Sequence, residues 1–143
     1  MEKYILQYLH KEGKTDFDRR SLELIISPRC NLGCKYCYIH KYRKDIFGED
    51  CFNEENTIKN LKLILKWLEK NNYNPNFEIF SGELFAQEIG FKVLETIYEH
   101  EKNIDSKLRP DSISIPTNFT FISSDELTEK INNIRQKFSD IGI

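Results

Sequence analysis

The feature that most constrains the fold is an alternation of short apolar segments with longer segments whose apolar residues recur every three or four positions. The short segments, at residues 22–27, 77–80 and 112–115, predict strands. The longer segments predict three helices. Their apolar stripes are Ile58, Leu61, Leu65 and Leu68 in the first, Ile89, Val93 and Ile97 in the second, and Leu127, Ile131, Ile134 and Phe138 in the third. We expect Asn53 to cap the first helix, and Ser123 with Glu126 to form a capping box at the third.

Three consecutive strand–helix units predict an α/β fold with a parallel sheet and helices packed outside it. Right-handed crossovers would curl these units into an arc, so we expect a partial (β/α) barrel. Functional residues of such folds lie just beyond the C-terminal ends of the strands. A chain of 143 residues is about the length of one domain.

A loop with three cysteines follows the first predicted strand. Cys30, Cys34 and Cys37 have C-x3-C-x2-C spacing. Cysteine thiolates hold iron–sulfur clusters, with four thiolates usual for a [4Fe–4S] cube. Three ligands from one loop would leave the fourth iron open to a substrate or cofactor. The loop therefore indicates a cluster that takes part in a reaction, rather than one that only stores electrons.

Zinc and disulfides are the alternatives for these cysteines. A zinc ion would need a fourth ligand such as His40 or Cys51, but structural zinc sites usually consist of two ligand pairs. A disulfide framework is typical of secreted proteins, and nothing in the sequence indicates secretion. The spacing favours a cluster, and we expect Cys51 to be a small buried hydrophobe rather than a ligand.

The cysteine loop, with Tyr36 before its third cysteine, resembles the CxxxCxxC motif of the radical S-adenosylmethionine (radical SAM) superfamily. Residues 80–83, Phe-Ser-Gly-Glu, look like the GGE segment of that family. Residues 115–118, Ile-Pro-Thr-Asn, look like the end of a later strand, often written TNG. The resemblance runs from about residue 22 to the C-terminus.

The resemblance implies about three units of a six-unit (β/α)6 three-quarter barrel, which is a partial TIM barrel. Residues 1–20 would be an N-terminal extension, and residues 21–143 the N-terminal half of a radical SAM core domain. We therefore expect a truncated chain or a fragment. A missing C-terminal half or a complementing chain would complete it.

The same resemblance assigns roles to individual residues. Cys30, Cys34 and Cys37 would bind a [4Fe–4S] cluster, and Gly33 would let the loop turn without a Cβ clash. Tyr36 would lie near the SAM adenine or, alternatively, pack within the loop. The residues that would contact SAM are Tyr36, Ser81, Gly82, Glu83, Thr117 and Asn118.

Three positions depart from the family pattern. Ser81 stands where the first glycine of the GGE segment is usual, Leu84 where proline is common, and Phe119 where glycine usually follows Thr117 and Asn118. A serine can keep a backbone-mediated contact if its φ stays negative.

The implied activity is an oxidoreductase reaction of radical SAM type. An electron donor of the flavodoxin or ferredoxin type would reduce the cluster, and SAM would be cleaved to methionine and a 5′-deoxyadenosyl radical that abstracts hydrogen from a substrate. The Cys37-Tyr38 pair and residues 115–118 look most similar to those of radical SAM maturases that modify peptides or proteins. The alternative is a small cysteine-loop module, binding an iron–sulfur cluster or zinc for interaction, without SAM chemistry.

Composition gives no indication of nucleic acid or membrane as a partner. The formal net charge is −2, which gives no electrostatic reason to expect nucleic acid or an anionic membrane. The first residues lack the apolar segment of a secretory signal, and no apolar run approaches the length of a membrane span. We expect a cytoplasmic protein, with no nucleic acid and no membrane among its partners.

Overall fold

The computed structural model describes residues 21–37 and 53–143. The predicted N-terminal extension, His40 and Cys51 lie outside the described residues. The described strands and helices alternate in the predicted order. They are β1 (Ser21–Ile25), α1 (Glu54–Lys70), β2 (Asn76–Phe80), α2 (Glu88–Glu101), β3 (Ile113–Ser114) and α3 (Asp125–Asp140).

The described strands form one parallel sheet in the order β1-β2-β3. Leu24 of β1 lies opposite Ile79 of β2, and Phe77 of β2 lies opposite Ile113 of β3. The expected parallel α/β arrangement is therefore present. Closure into a barrel is not part of the described structure and stays a prediction.

The core lies between one face of the sheet and the helices. Leu24, Phe77 and Ile79 are buried on that face, whereas Ile25, which points the other way, is 57% exposed. Alternate strand residues point to opposite faces, so the helices cover the face that carries the buried set. The predicted helix stripes supply the other side of this core. The stripe residues that are fully buried are Leu61, Leu65, Leu68, Ile89, Val93, Ile97, Ile131, Ile134 and Phe138.

The helix caps agree with prediction at α1 but not at α3. Asn53 caps α1, because its side chain accepts a hydrogen bond from the Asn56 N–H at 3.0 Å. The prediction of Ser123 at α3 is wrong: Ser124 is the cap and accepts from the Leu127 N–H. Ser123 still belongs to the preceding 3-10 turn and donates its hydroxyl to the carbonyl of Thr120. The capping residue must have extended backbone, and Ser124 is the first residue that does.

The third strand is shorter than predicted. It pairs only through residues 113 and 114. The side chain of Asn76 accepts from the backbone N–H groups of Asp111 and Ser112, and Pro116 has no N–H to offer. Side-chain capping at one end and proline at the other therefore limit β3 to two residues.

No helix in residues 21–37 or 53–143 is long and apolar enough to cross a membrane.

Candidate functional site

The segments that follow the three strands meet at one edge of the sheet. Pairing between β1 and β2 continues past their ends, since the N–H of Gly82 donates to the carbonyl of Ser27 at 2.8 Å and that of Glu83 to the carbonyl of Arg29 at 2.9 Å. The Ser81 hydroxyl donates to the same Ser27 carbonyl at 2.9 Å. The Ser-Gly-Glu turn is therefore fixed to the chain that leads into the cysteine loop.

Gly82 is the glycine that this contact requires. A Cβ at position 82 would lie 2.2 Å from the carbonyl oxygen of Arg29 and 2.7 Å from that of Pro28. A Cβ at Gly33 would meet nothing within 4 Å, and the φ of Gly33 is outside the left-handed region. The prediction that Gly33 lets the loop turn by avoiding a Cβ clash is therefore wrong, because a Cβ there would clash with nothing. The close approach of two backbones falls at Gly82 instead.

Glu83 is a buried carboxylate that joins the segments after β2 and β3. The residue is 1% exposed. One oxygen accepts from the Thr117 hydroxyl at 2.9 Å and from the Phe85 N–H, and the other accepts from the Asn118 N–H at 2.6 Å. Among the described residues no basic side chain lies within 4 Å of it, so these three donors are what stabilise the buried carboxylate.

Asn118 extends this connection to the cysteine loop. Its side-chain amide donates to Asn31 at 3.0 Å and lies 3.8 Å from the sulfur of Cys30. Asn31 in turn donates to the Thr120 hydroxyl at 2.7 Å. The structure thus brings Cys30, Glu83, Thr117 and Asn118 together, as expected for residues beyond neighbouring parallel strands.

Sequence reasoning missed Gln87, which holds the same edge. Gln87 occupies the N-cap position of α2 without making a capping bond. Its amide instead donates to the carbonyls of Arg29 and Glu83 at 2.8 Å each, and it lies 3.2 Å from the Ser81 hydroxyl. The available signal was a glutamine at a helix start, where Ser, Thr, Asp or Asn is usual.

The three cysteines have free thiols. Cys30 is exposed, while Cys34 and Cys37 are half-buried and joined by a turn in which the Cys37 N–H donates to the Cys34 carbonyl. Within residues 21–37 and 53–143, no three His, Cys, Asp or Glu side chains converge closely enough to hold a metal ion. The donor set nevertheless suits an iron–sulfur cluster, because three free sulfurs lie on one short, largely exposed loop.

Tyr36 and Ser81 are the remaining predicted site residues, and Leu84 and Phe119 are two of the positions that depart from the family pattern. Tyr36 is 90% exposed, so its ring does not pack within the loop as the alternative reading held. Ser81 has no positive φ, and Leu84 is fully buried in the core. Phe119 adopts φ 60°, ψ 12°, the left-handed conformation that favours glycine, and it is 60% exposed.

Comparison with known proteins gives one distant similarity of note. Over 129 residues the chain is 29% identical to the radical SAM cyclopropyl synthase TigE of Paramaledivibacter caminithermalis, and the match covers 84% of this chain. The chain spans about a quarter of the length of that relative, since the match covers 25% of it. No protein-family model matches the chain, and no solved structure matches it.

This similarity supports the radical SAM superfamily at a coarse level. The matched relative is, by its name, a synthase of the radical SAM type.

Proposed function

We propose that this chain is the cluster-binding part of a radical SAM enzyme. The observation that carries the proposal is the joining of three motif-bearing segments at one edge of a parallel sheet. Cys30, Glu83 and Asn118 come from segments far apart in the chain, yet hydrogen bonds link them. The distant similarity to a radical SAM cyclopropyl synthase supports the same assignment.

Cys30, Cys34 and Cys37 would hold the cluster. When bound, a [4Fe–4S] cluster would supply the electron for reductive cleavage of SAM to methionine and a 5′-deoxyadenosyl radical. The protein would bind and orient SAM beside the cysteine loop, because a small misplacement of reacting groups costs a large factor in rate. An electron donor of the flavodoxin or ferredoxin type would complete the system.

The predicted SAM-contacting residues would divide into two kinds. The side chains of Glu83, Thr117 and Asn118 are engaged with one another and with the cysteine loop. These three residues would therefore contact SAM through their backbone atoms. Their side chains would serve mainly to hold the segments after the strands together. Tyr36, whose ring is exposed, would be free to lie against the adenine.

The proposed substrate is a peptide or protein. Exposed apolar side chains lie on the cysteine loop and on the segment after β3, where a substrate side chain would approach. They are Leu32, Tyr36, Phe119 and Ile122. Exposed apolar surface often marks an interaction site, so its position beside the proposed cluster site supports a substrate that has apolar side chains.

The test is anaerobic reconstitution with iron and sulfide, followed by iron analysis, absorbance and electron paramagnetic resonance (EPR) spectroscopy of the reduced protein. We expect about one cluster per chain, Cys34→Ala to lose most of its iron, and Cys51→Ala, the matched control, to keep it. Addition of SAM should change the EPR spectrum, because SAM would bind the iron that has no cysteine ligand. Equal loss of iron in both variants would contradict the three-cysteine assignment.

The EPR result also separates the proposal from its alternative. A metal-binding interaction module without SAM chemistry would bind iron or zinc, but its spectrum would not respond to SAM. A bound cluster with a SAM-independent spectrum would therefore favour that module and overturn the enzyme assignment.

A further inference from the structure

Two N–H groups point at the sulfur of Cys30. The backbone N–H of Leu32 lies 3.4 Å from this sulfur, and the side-chain amide of Asn118 lies 3.8 Å from it. Within the part of the chain that the structure describes, the sulfurs of Cys34 and Cys37 have no such hydrogen bonds. The environment of the three thiols is therefore asymmetric.

The Asn118 amide is held in place from several directions. Its backbone N–H is bound by the buried carboxylate of Glu83 at 2.6 Å. Its side-chain oxygen accepts from the backbone N–H of Thr120 at 3.0 Å and from the Thr120 hydroxyl at 2.7 Å. With its oxygen occupied in this way, the amide group presents its N–H donors to Asn31 and to Cys30. A half-buried asparagine would otherwise sample several rotamers, so this anchoring orients the donor.

We propose that Asn118 is a positioning residue that donates a hydrogen bond to the Cys30 sulfur and thereby raises the reduction potential of the cluster. The inference rests on the proposed function. Hydrogen bonds to ligand sulfurs are one of the factors that set iron–sulfur potentials. The reduced cluster carries one more negative charge than the oxidised cluster, so an N–H dipole aimed at sulfur stabilises it more. Groups around the ligands tune metal centres in the same way elsewhere.

The experiment is a redox titration of the reconstituted protein, followed by EPR. Asn118→Leu keeps the number and branching of the side-chain heavy atoms but has no donor, and we expect it to keep the wild-type iron content while its midpoint potential becomes more negative. Ser123→Ala is the matched control. It removes a hydrogen bond within the same segment, to the Thr120 carbonyl, but leaves the Asn118 amide untouched. An Asn118→Leu protein with full iron and the wild-type potential would overturn the inference.

A second measurement needs no cluster. In the apo protein, a double-mutant cycle of Asn118→Leu and Cys30→Ala on denaturant unfolding isolates the contact between the two side chains. We expect the double variant to lose less stability than the sum of the single variants, and additive losses would overturn the contact. This cycle also decides the case in which Asn118→Leu holds no iron.

The two proposals fail in different ways. If the wild-type chain binds no cluster, the proposed function fails, whereas the apo cycle still reports on the Asn118–Cys30 contact. If the wild type binds a cluster and Asn118→Leu has the same midpoint potential as the wild type, only the further inference fails.

Discussion

The carboxylate of Glu83 accepts a hydrogen bond from the backbone N–H of Asn118 at 2.6 Å, so the turn after β2 is joined to the segment after β3. Hydrogen bonds to a carboxylate are shorter and stronger than those between neutral groups. Because Glu83 is also bound through its N–H to the carbonyl of Arg29, this one residue connects all three strand ends. The site geometry therefore depends on a side chain that has no direct contact with the cysteines.

We expect Glu83→Ala to lose at least about 3 kcal/mol of unfolding free energy. The variant would leave the Thr117 hydroxyl and two backbone N–H groups without their acceptor, and each buried unsatisfied group costs about 1–3 kcal/mol. Glu83→Gln keeps one acceptor oxygen and should lose roughly half as much. Urea unfolding measures both. Glu129→Gln, exposed on α3, serves as the control and should match the wild type. A Glu83→Ala protein as stable as this control would show that the buried carboxylate does not hold the edge.

The two glycines of the site should respond differently to the same change. Gly82→Ala would place a methyl group against the carbonyl of Arg29. Overpacking of this kind typically costs about 1–3 kcal/mol, and backbone atoms cannot move aside as a flexible side chain can. Gly33→Ala meets open space and should leave stability nearly unchanged. Thermal unfolding of the two variants makes the comparison. Equal stability would mean that the backbone approach at Gly82 is not fixed.

Phe119 carries a conformational cost that glycine would relieve. A left-handed non-glycine residue costs about 1–2 kcal/mol, whereas glycine costs about 0.5–1 kcal/mol in the entropy of the unfolded chain. We therefore expect Phe119→Gly to be more stable than Phe119→Ala by about 0.5–1 kcal/mol. Both variants lose the ring contact with Phe121, so the difference between them isolates the backbone.

Ile122 supplies the control for that comparison. It is exposed in the same 3-10 segment, and its φ is not positive. There the order should reverse, with Ile122→Ala more stable than Ile122→Gly in denaturant unfolding. The same order at both positions would argue against the strain at Phe119.

Glu101 should contribute a pH dependence to stability. The residue is 3% exposed, and burial raises the pKa of its carboxyl above the ordinary value of 4.5. The hydrogen bond and charge of His100 and the charge of Arg109 lower this pKa, and Glu69 raises it. The folded state therefore holds the proton more tightly than the unfolded state. As the pH rises from about 4.5 through the folded pKa, unfolding releases a proton and the free energy of unfolding falls.

The glutamine in Glu101→Gln cannot ionise, so this variant should lack the part of the fall in unfolding free energy with rising pH that Glu101 causes. We expect its stability to fall less than that of the wild type between pH 4.5 and neutral pH, in urea unfolding at a series of pH values. Glu129→Gln should follow the wild-type curve. Parallel curves for the wild type and Glu101→Gln would contradict the effect of burial.

The sequence by itself determined the elements and their arrangement. The stripes at Leu61, Leu65 and Leu68 and at Ile89, Val93 and Ile97 predicted helices, and these residues are buried. Helix periodicity is local, because residues three and four apart share a face whatever lies opposite. The parallel sheet followed from the alternation of elements, and the meeting of the three strand-end segments followed from the sheet.

The tertiary structure decided which atoms hold the site. Gly82 rather than Gly33 must be glycine because the backbone of Arg29 lies across from it. Gln87 acts through carbonyls of other segments, and Asn118 reaches a cysteine 88 positions away. Periodicity and spacing report only on neighbours within a segment. Contacts between segments depend on how β1, β2 and β3 are set side by side, and only the packed sheet fixes those distances.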